Sequence, residues 1–255
     1  MSDRTVLITG AGSGIGRGLA ERFGAAGFEV IAADINKASA EEIAGAITAA
    51  GGKACAHEVD VAQESDVLNL VEALGDGPVD VLVNNAGLQH MARLEDLPQE
   101  KWDLLIRVML TGPFMVTRAL LPRMRGRGFG RIINLGSIHS LVASPYKSAY
   151  VAAKHGLLGL AKVVALETAG DDITINSICP SYIHTPLVAR QVADQAREHG
   201  ISEEEVASEI MLKPMPKKQF VTIDELYGIA MFLISDSARN ITGQTISVDG
   251  GWTIQ

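Results

Sequence analysis

Residues 5–24 read TVLITGAGSGIGRGLAERFG, and the fold turns on how this stretch is understood. Thr5–Thr9 is a short β-branched and aliphatic run, the composition of a strand buried on both faces. Gly10, Gly14 and Gly16 follow at once, and a helical pattern runs from Ile15 to Ala26. Glycines between a strand and a helix let the backbone turn tightly and approach a phosphate. The helix N-terminus adds free N–H donors and a partial positive charge. The position of the trio, more than the glycines themselves, marks a dinucleotide-binding turn. Ser13 and Ile15 lie inside the turn, which carries no lysine or arginine.

The next strand-like run, FEVIAADI, brings Asp34 to its end. A carboxylate there accepts hydrogen bonds from an adenosine ribose diol and repels a 2′-phosphate, so NAD is expected over NADP. Lys37 is close by and can also be read as a solvated charge at a helix start.

Outward from this unit, the pattern repeats. KACAHEVDV, VDVLVNNAG, RIINLGS, ITINSICP and QTISVDGG read as further strands. Helical patterns lie at Ala40–Ala50, Ala62–Leu74, Gln99–Met124 and Tyr150–Ala169. Near-continuous apolar strands alternating with helices require a parallel sheet covered on both faces. The expectation is an α/β chain whose residues 1–255 form a single doubly wound domain. Residues 182–221 break the rhythm with a part-helical, proline-bearing insertion, expected to be a substrate lid.

Composition narrows the function classes. Of 255 residues 47% are hydrophobic and 20% charged, enough for a sizeable core. A net charge of −8 argues against a nucleic-acid or anionic-membrane footprint. The basic run Arg123–Arg131 is expected to be a solvated loop. Cys55 and Cys179 share no CxxC spacing, so neither a disulfide framework nor a metal site is suggested. No signal-peptide pattern opens the chain, and no uninterrupted apolar run approaches the length of a bilayer span. A cytoplasmic protein without membrane attachment is expected.

TGAGSGIG, the NNAG of Asn84–Gly87, and Tyr150-Val-Ala-Ala-Lys154 preceded by Ser137 together resemble the short-chain dehydrogenases/reductases. The likeness runs nearly end to end, through CPSYIHTPL and the terminal VDGGW. It implies a Rossmann-type sheet of seven strands, assembled as a homotetramer. It also implies that Asp60 and Val61 contact adenine, that Asn85, Ala86 and Gly87 line the cofactor behind the ribose, and that Thr185 holds the nicotinamide carboxamide.

The stretch Ser137–Gly156, SIHSLVASPYKSAYVAAKHG, carries the chemistry. Tyr150 and Lys154 are one helical turn apart and face the same way. A tyrosine with a pKa of about 10 is a poor base at neutral pH. A lysine ammonium beside it, with an oxidised nicotinamide nearby, favours the phenolate. Tyr150 can then take the proton of a secondary alcohol while hydride leaves for the cofactor, which Lys154 also helps to bind. Ser137 would hold the alcohol or carbonyl oxygen.

Within the family, NNAGLQH, SIHSLVASPYKSAYVAAKHG, TPLVARQ and KKQFVT are similar to the bacterial D-3-hydroxybutyrate dehydrogenases. That likeness implies that Gln89, His139, Lys147 and Gln191 bind a substrate carboxylate. Three of them also have an ordinary reading: Lys147 as a surface charge, His139 as a loop histidine and Gln191 as part of a polar helical face. Two residues depart from the pattern. Met109 replaces an asparagine of the proton relay, and a thioether is a weak acceptor that cannot donate. Tyr182, after Ser181, stands where the hydroxybutyrate enzymes have tryptophan, so the pocket wall differs. A small hydroxy acid is therefore the expected substrate. Another secondary alcohol, or nucleotide binding without turnover, is the alternative. Trp252 can be read as an interface residue or as part of the pocket.

Overall fold

The computed structural model describes residues 4–183 and 185–254, with the side chains at 186, 187, 190, 191, 198 and 199 outside that description. Among the described residues there are seven strands: β1 (Thr5–Thr9), β2 (Glu29–Asp34), β3 (Lys53–Glu58), β4 (Val81–Asn84), β5 (Gly130–Leu135), β6 (Ile173–Pro180) and β7 (Thr245–Val248). They form one sheet in the order β3-β2-β1-β4-β5-β6-β7, and every neighbouring pair is parallel. The doubly wound parallel sheet expected from the alternating pattern is the observed one.

Between the strands run α1 (Gly14–Ala25), α2 (Lys37–Ala49), α3 (Glu64–Ala73), α4 (Gln99–Ile106), α5 (Gly112–Arg127) and α6 (Ser148–Glu167). After β6 come α7 (Pro186–His199), the single turn α8 (Glu203–Glu205) and α9 (Ile223–Leu233). Period-2 alternation in the strands divides the core into two layers. Val6 and Ile8 of β1 pack with Phe23, Ile43 and Leu226 of α1, α2 and α9. Leu7 points the other way and joins Leu70, Leu120 and Ala161 of α3, α5 and α6. Each such side chain, removed from water, contributes roughly 1.5–3 kcal/mol.

The chain reverses direction across the sheet between β1 and β4. Open α/β sheets bind ligands at such a switch point, beyond the carboxyl ends of the strands. Gly10, Asn85, Gly136 and Ser181 directly follow β1, β4, β5 and β6, so four remote segments converge there. The 182–221 insertion starts at the same end. Its two ends are tied by an Ile183–Val221 bridge and by the Val221 amide donating to the Tyr182 carbonyl at 2.9 Å. Val192, Ala196, Val206 and Met211 give it a small apolar cluster of its own.

Three expectations change. The helix expected over Gln99–Met124 is interrupted by a π-helical turn at Arg107–Thr111, immediately before Gly112 and Pro113, and α5 continues to Arg127. The basic run is not a solvated loop throughout. Arg131 belongs to β5, is buried, pairs with Asp172 at 2.8 Å, and stacks on Phe129 with its guanidinium 4.3 Å from the ring centre. Finally, Gln99–Arg127 and Ser148–Glu167 are each long and apolar enough to cross a membrane by length and composition alone. Counting uninterrupted apolar runs misses them because Arg107, Arg118 and Lys154 punctuate their sequences. Both supply buried side chains to the core.

Candidate active site

The glycine turn makes one wall of a cleft of about 920 Å³. Gly10 has φ +65°, a left-handed backbone that favours glycine. A Cβ on Gly16 would lie 2.1 Å from the Gly10 carbonyl oxygen, so Gly16 lets α1 close against the turn without itself lining the cleft. Asn85 fixes the turn from behind, its amide donating to the Thr9 and Gly10 carbonyls at 2.9 and 3.1 Å. Ser13, Gly14 and Ile15 line the cleft beside Ala86 and Gly87. A bare-backbone cradle at a helix N-terminus fits the diphosphate of a nicotinamide dinucleotide.

At the far end of the cleft lie Asp34, Asp60 and Val61. The Asp34 carboxylate accepts from the Gly12 and Asn36 amides at 2.8 and 2.9 Å. The nearby cations are engaged elsewhere: Lys37 with Glu41 at 3.8 Å, Arg17 with Glu42 at 2.8 Å and Glu21 at 3.3 Å. Asp60 caps its own turn by accepting from the Ala62 amide. Thr185 caps α7, accepting from the Val188 amide at 3.3 Å.

Ser137 lies two residues past the end of β5 and caps the short turn Ile138–Ser140. Its hydroxyl oxygen accepts from the His139 amide at 3.1 Å, and its O–H is directed to the Tyr150 phenol. Tyr150 and Lys154 lie on the first turns of α6, the ammonium 5.8 Å from the Tyr150 ring centre. Lys154 is buried and donates to the Leu135 carbonyl at 2.5 Å. Burial pushes Lys154 down to about 8. Burial also pushes the Tyr150 phenol up, against a hydrogen bond from Ser137 that pulls it down. In the cofactor-free site burial penalises both charges. Met109, on the π-helical turn, is buried with Leu105, Ala149 and Ala153, so this side of the Lys154 helix is an apolar wall.

A smaller cavity of about 130 Å³ adjoins the cleft. The two share Ile15, Gln89, Gly136, Tyr150 and Thr185, so they meet at the tyrosine. His139 and Lys147 are both buried here, and the Lys147 ammonium lies 3.4 Å from His139 Nε2. The Tyr182 ring centre is 5.7 Å from that ammonium. Trp252 stacks edge-on against His139 at 6.0 Å and beside Tyr182 at 5.8 Å. Burial, then the Lys147 charge, push His139 down to about 4, so it is neutral; burial also lowers Lys147. The Gln89 side-chain oxygen is buried and has no hydrogen-bond partner among the described residues.

No Asp or Glu lines this cavity among the described residues. A buried ammonium without a carboxylate is costly until an anion joins it. Lys147 and His139 are thus neither a surface charge nor an ordinary loop histidine, and Trp252 belongs to the pocket. Gln191 falls outside the described side chains. Gly136 and His90, which sequence reasoning did not place in the site, line the cleft as well. Only the position of Gly136 just past a strand could have signalled it.

A family model described as enoyl-(acyl carrier protein) reductase matches residues 10–253. The chain is 45% identical to a D-beta-hydroxybutyrate dehydrogenase of Rhizobium meliloti, with 99% of both chains covered. It is 44% identical, over the full length of both, to a D-beta-hydroxybutyrate dehydrogenase of Cupriavidus necator. A solved structure from Beutenbergia cavernae, described as an NAD(P)-dependent gluconate 5-dehydrogenase with bound NADP, superposes with a TM-score of 0.89 at 34% identity, covering 99% of this chain and 97% of that one. The glycine cradle, the Ser137–Tyr150–Lys154 constellation and this end-to-end similarity make the chain a member of the short-chain dehydrogenase/reductase family, an oxidoreductase that uses a nicotinamide cofactor.

Proposed function

We propose that the protein interconverts (R)-3-hydroxybutyrate, or a close 3-hydroxy acid, and the 3-oxo acid, with NAD as cofactor. The observation that carries this reading is the junction of two cavities at Tyr150, one with a phosphate cradle and the other with a buried, uncompensated cation. A nicotinamide dinucleotide held by the Gly10–Gly14 cradle would supply the hydride acceptor or donor. Lys147, backed by neutral His139 and Gln89, would fix the substrate carboxylate by charge-assisted hydrogen bonds. That anchor turns the secondary alcohol toward Tyr150 and Ser137. Ser137 would turn its O–H from the Tyr150 phenol to the substrate oxygen, and Tyr150 takes the alcohol proton in oxidation or returns it in reduction.

Asp34 supports NAD, since its carboxylate faces the cleft and the nearby cations are paired elsewhere. The relatives named D-beta-hydroxybutyrate dehydrogenase support the substrate. Tyr182 favours a second reading within the same class, a somewhat longer hydroxy acid accommodated by a phenol at the pocket wall. The 182–221 insertion is read as a lid, because Tyr182, Ile183, Thr185 and Val188 line the substrate cavity from it.

Carboxylate dependence is the test. With NAD saturating, 3-hydroxybutyrate should be oxidised with a kcat/KM at least about tenfold above that of 2-butanol, the value of one charge-assisted contact. Equal rates with the two alcohols would remove the hydroxy-acid assignment.

A further inference from the structure

Tyr146 has φ +67°, and Lys218 is the other non-glycine residue with positive φ among those described. An aromatic residue in the left-handed region is a steric outlier, with no short polar side chain to compensate locally as asparagine has. Its ring does not repay the strain by burial, being 51% exposed. Something other than the side chain holds this backbone. The Tyr146 carbonyl accepts from the Ala92 amide at 3.0 Å, which ties the loop after β4, the carrier of Gln89, to the loop before α6.

The next residue is Lys147. It caps α6 with φ −123° and ψ 32°, its carbonyl accepts from the Val151 amide at 2.8 Å, and its side chain is only 6% exposed. A lysine at the start of a helix ordinarily projects into solvent. Here the reversal at Tyr146 aims it inward beside His139. Backbone strain that persists next to a ligand-facing charge points to a positioning role.

We propose that Tyr146 is a positioning residue: its left-handed backbone, pinned by Ala92, turns the Lys147 ammonium into the pocket and thereby sets the affinity for the substrate carboxylate. This rests on the hydroxy-acid reading above. What position 146 must supply is a conformation and not a side chain.

Substitutions that separate conformation from side chain test it. Tyr146→Gly and Tyr146→Asn accept a left-handed backbone, Tyr146→Ala resists it, and β-branched Tyr146→Val resists it most, while all four lose the ring. The KM for 3-hydroxybutyrate should stay within about twofold for Gly and Asn and rise about tenfold or more for Val, with Ala between. The KM for NAD and the kcat at saturating acid should not follow that order, which separates positioning from general damage. If Val does not fold, the Ala–Gly contrast carries the same test. Titration of the His139 imidazole by NMR needs no substrate. It should move upward in Val and Ala as the Lys147 charge leaves, and stay in place in Gly and Asn. Turnover of no hydroxy acid by the wild type would remove the functional reading, while the His139 titration still tests the positioning. Identical KM values and identical His139 titrations across the four variants would overturn the proposal.

Discussion

The Lys147 ammonium lies 3.4 Å from the His139 imidazole, and no carboxylate lines the cavity around them among the described residues. An ammonium held this way waits for an anion. Lys147→Met keeps the stem and removes the charge. The kcat/KM for 3-hydroxybutyrate should fall roughly 10- to 100-fold, a loss of about 1.5–3 kcal/mol for a charged contact, while that for 2-butanol changes little. Parallel losses on both alcohols would mean that Lys147 supports the fold and not the substrate.

The chemistry itself should fail in Tyr150→Phe. We expect kcat to drop by about 10²–10⁴ with the dissociation constant for NAD unchanged, since the phenol acts only on the reacting oxygen. Wild-type turnover in this variant would assign the proton transfer to another group.

Asp34→Asn removes the charge that faces the cofactor cleft and keeps one acceptor oxygen, enough for the Gly12 or the Asn36 amide but not for both, since each bonds a different carboxylate oxygen. The NAD-over-NADP preference in kcat/KM should relax by roughly tenfold or more, with a loss of stability of about 1 kcal/mol for the one amide bond given up. An unchanged preference would show that selection lies elsewhere in the cleft.

Lys154 makes the cofactor-free protein pH-sensitive in a defined direction. Its ammonium is lowered from 10.5 to about 8 by burial, so between those values the unfolded chain binds more protons than the folded one. Stability from this group therefore rises with pH across that window and is lowest below it. Lys154→Met should raise the unfolding free energy at neutral pH by about 1–3 kcal/mol, flatten this pH dependence, and abolish turnover. Thermal melts of both forms from neutral to alkaline pH check it; a less stable variant would contradict the assigned burial cost.

Much of this was legible in the chain. The strands could be read because a parallel sheet covered on both faces demands continuous apolar runs, and β1, β5 and β6 are wholly buried. Ser137, Tyr150 and Lys154 could be read because the tyrosine and lysine share a helix face, and the serine follows a strand. The rest depends on the third dimension. Trp252 reaches His139 from the other end of the chain, and nothing in VDGGWTIQ announces the contact. Arg131 looked solvated because its partner, Asp172, lies on the connection into the neighbouring strand. The left-handed Tyr146 was invisible because such a position ordinarily calls for glycine or asparagine. That burial raises the Tyr150 phenol and lowers the Lys154 ammonium cannot be read from the Tyr-x-x-x-Lys spacing.

The most direct measurement follows NADH absorbance with NAD and each enantiomer of 3-hydroxybutyrate, between about pH 6 and 10. We expect turnover of the R form alone. Its kcat should climb toward alkaline pH as Tyr150, raised by burial, gives up its proton. Its kcat/KM should instead pass through a maximum, because Lys147, lowered by burial, loses its charge and with it the carboxylate. Equal turnover of both enantiomers, or none of either while NAD still binds, would contradict the account.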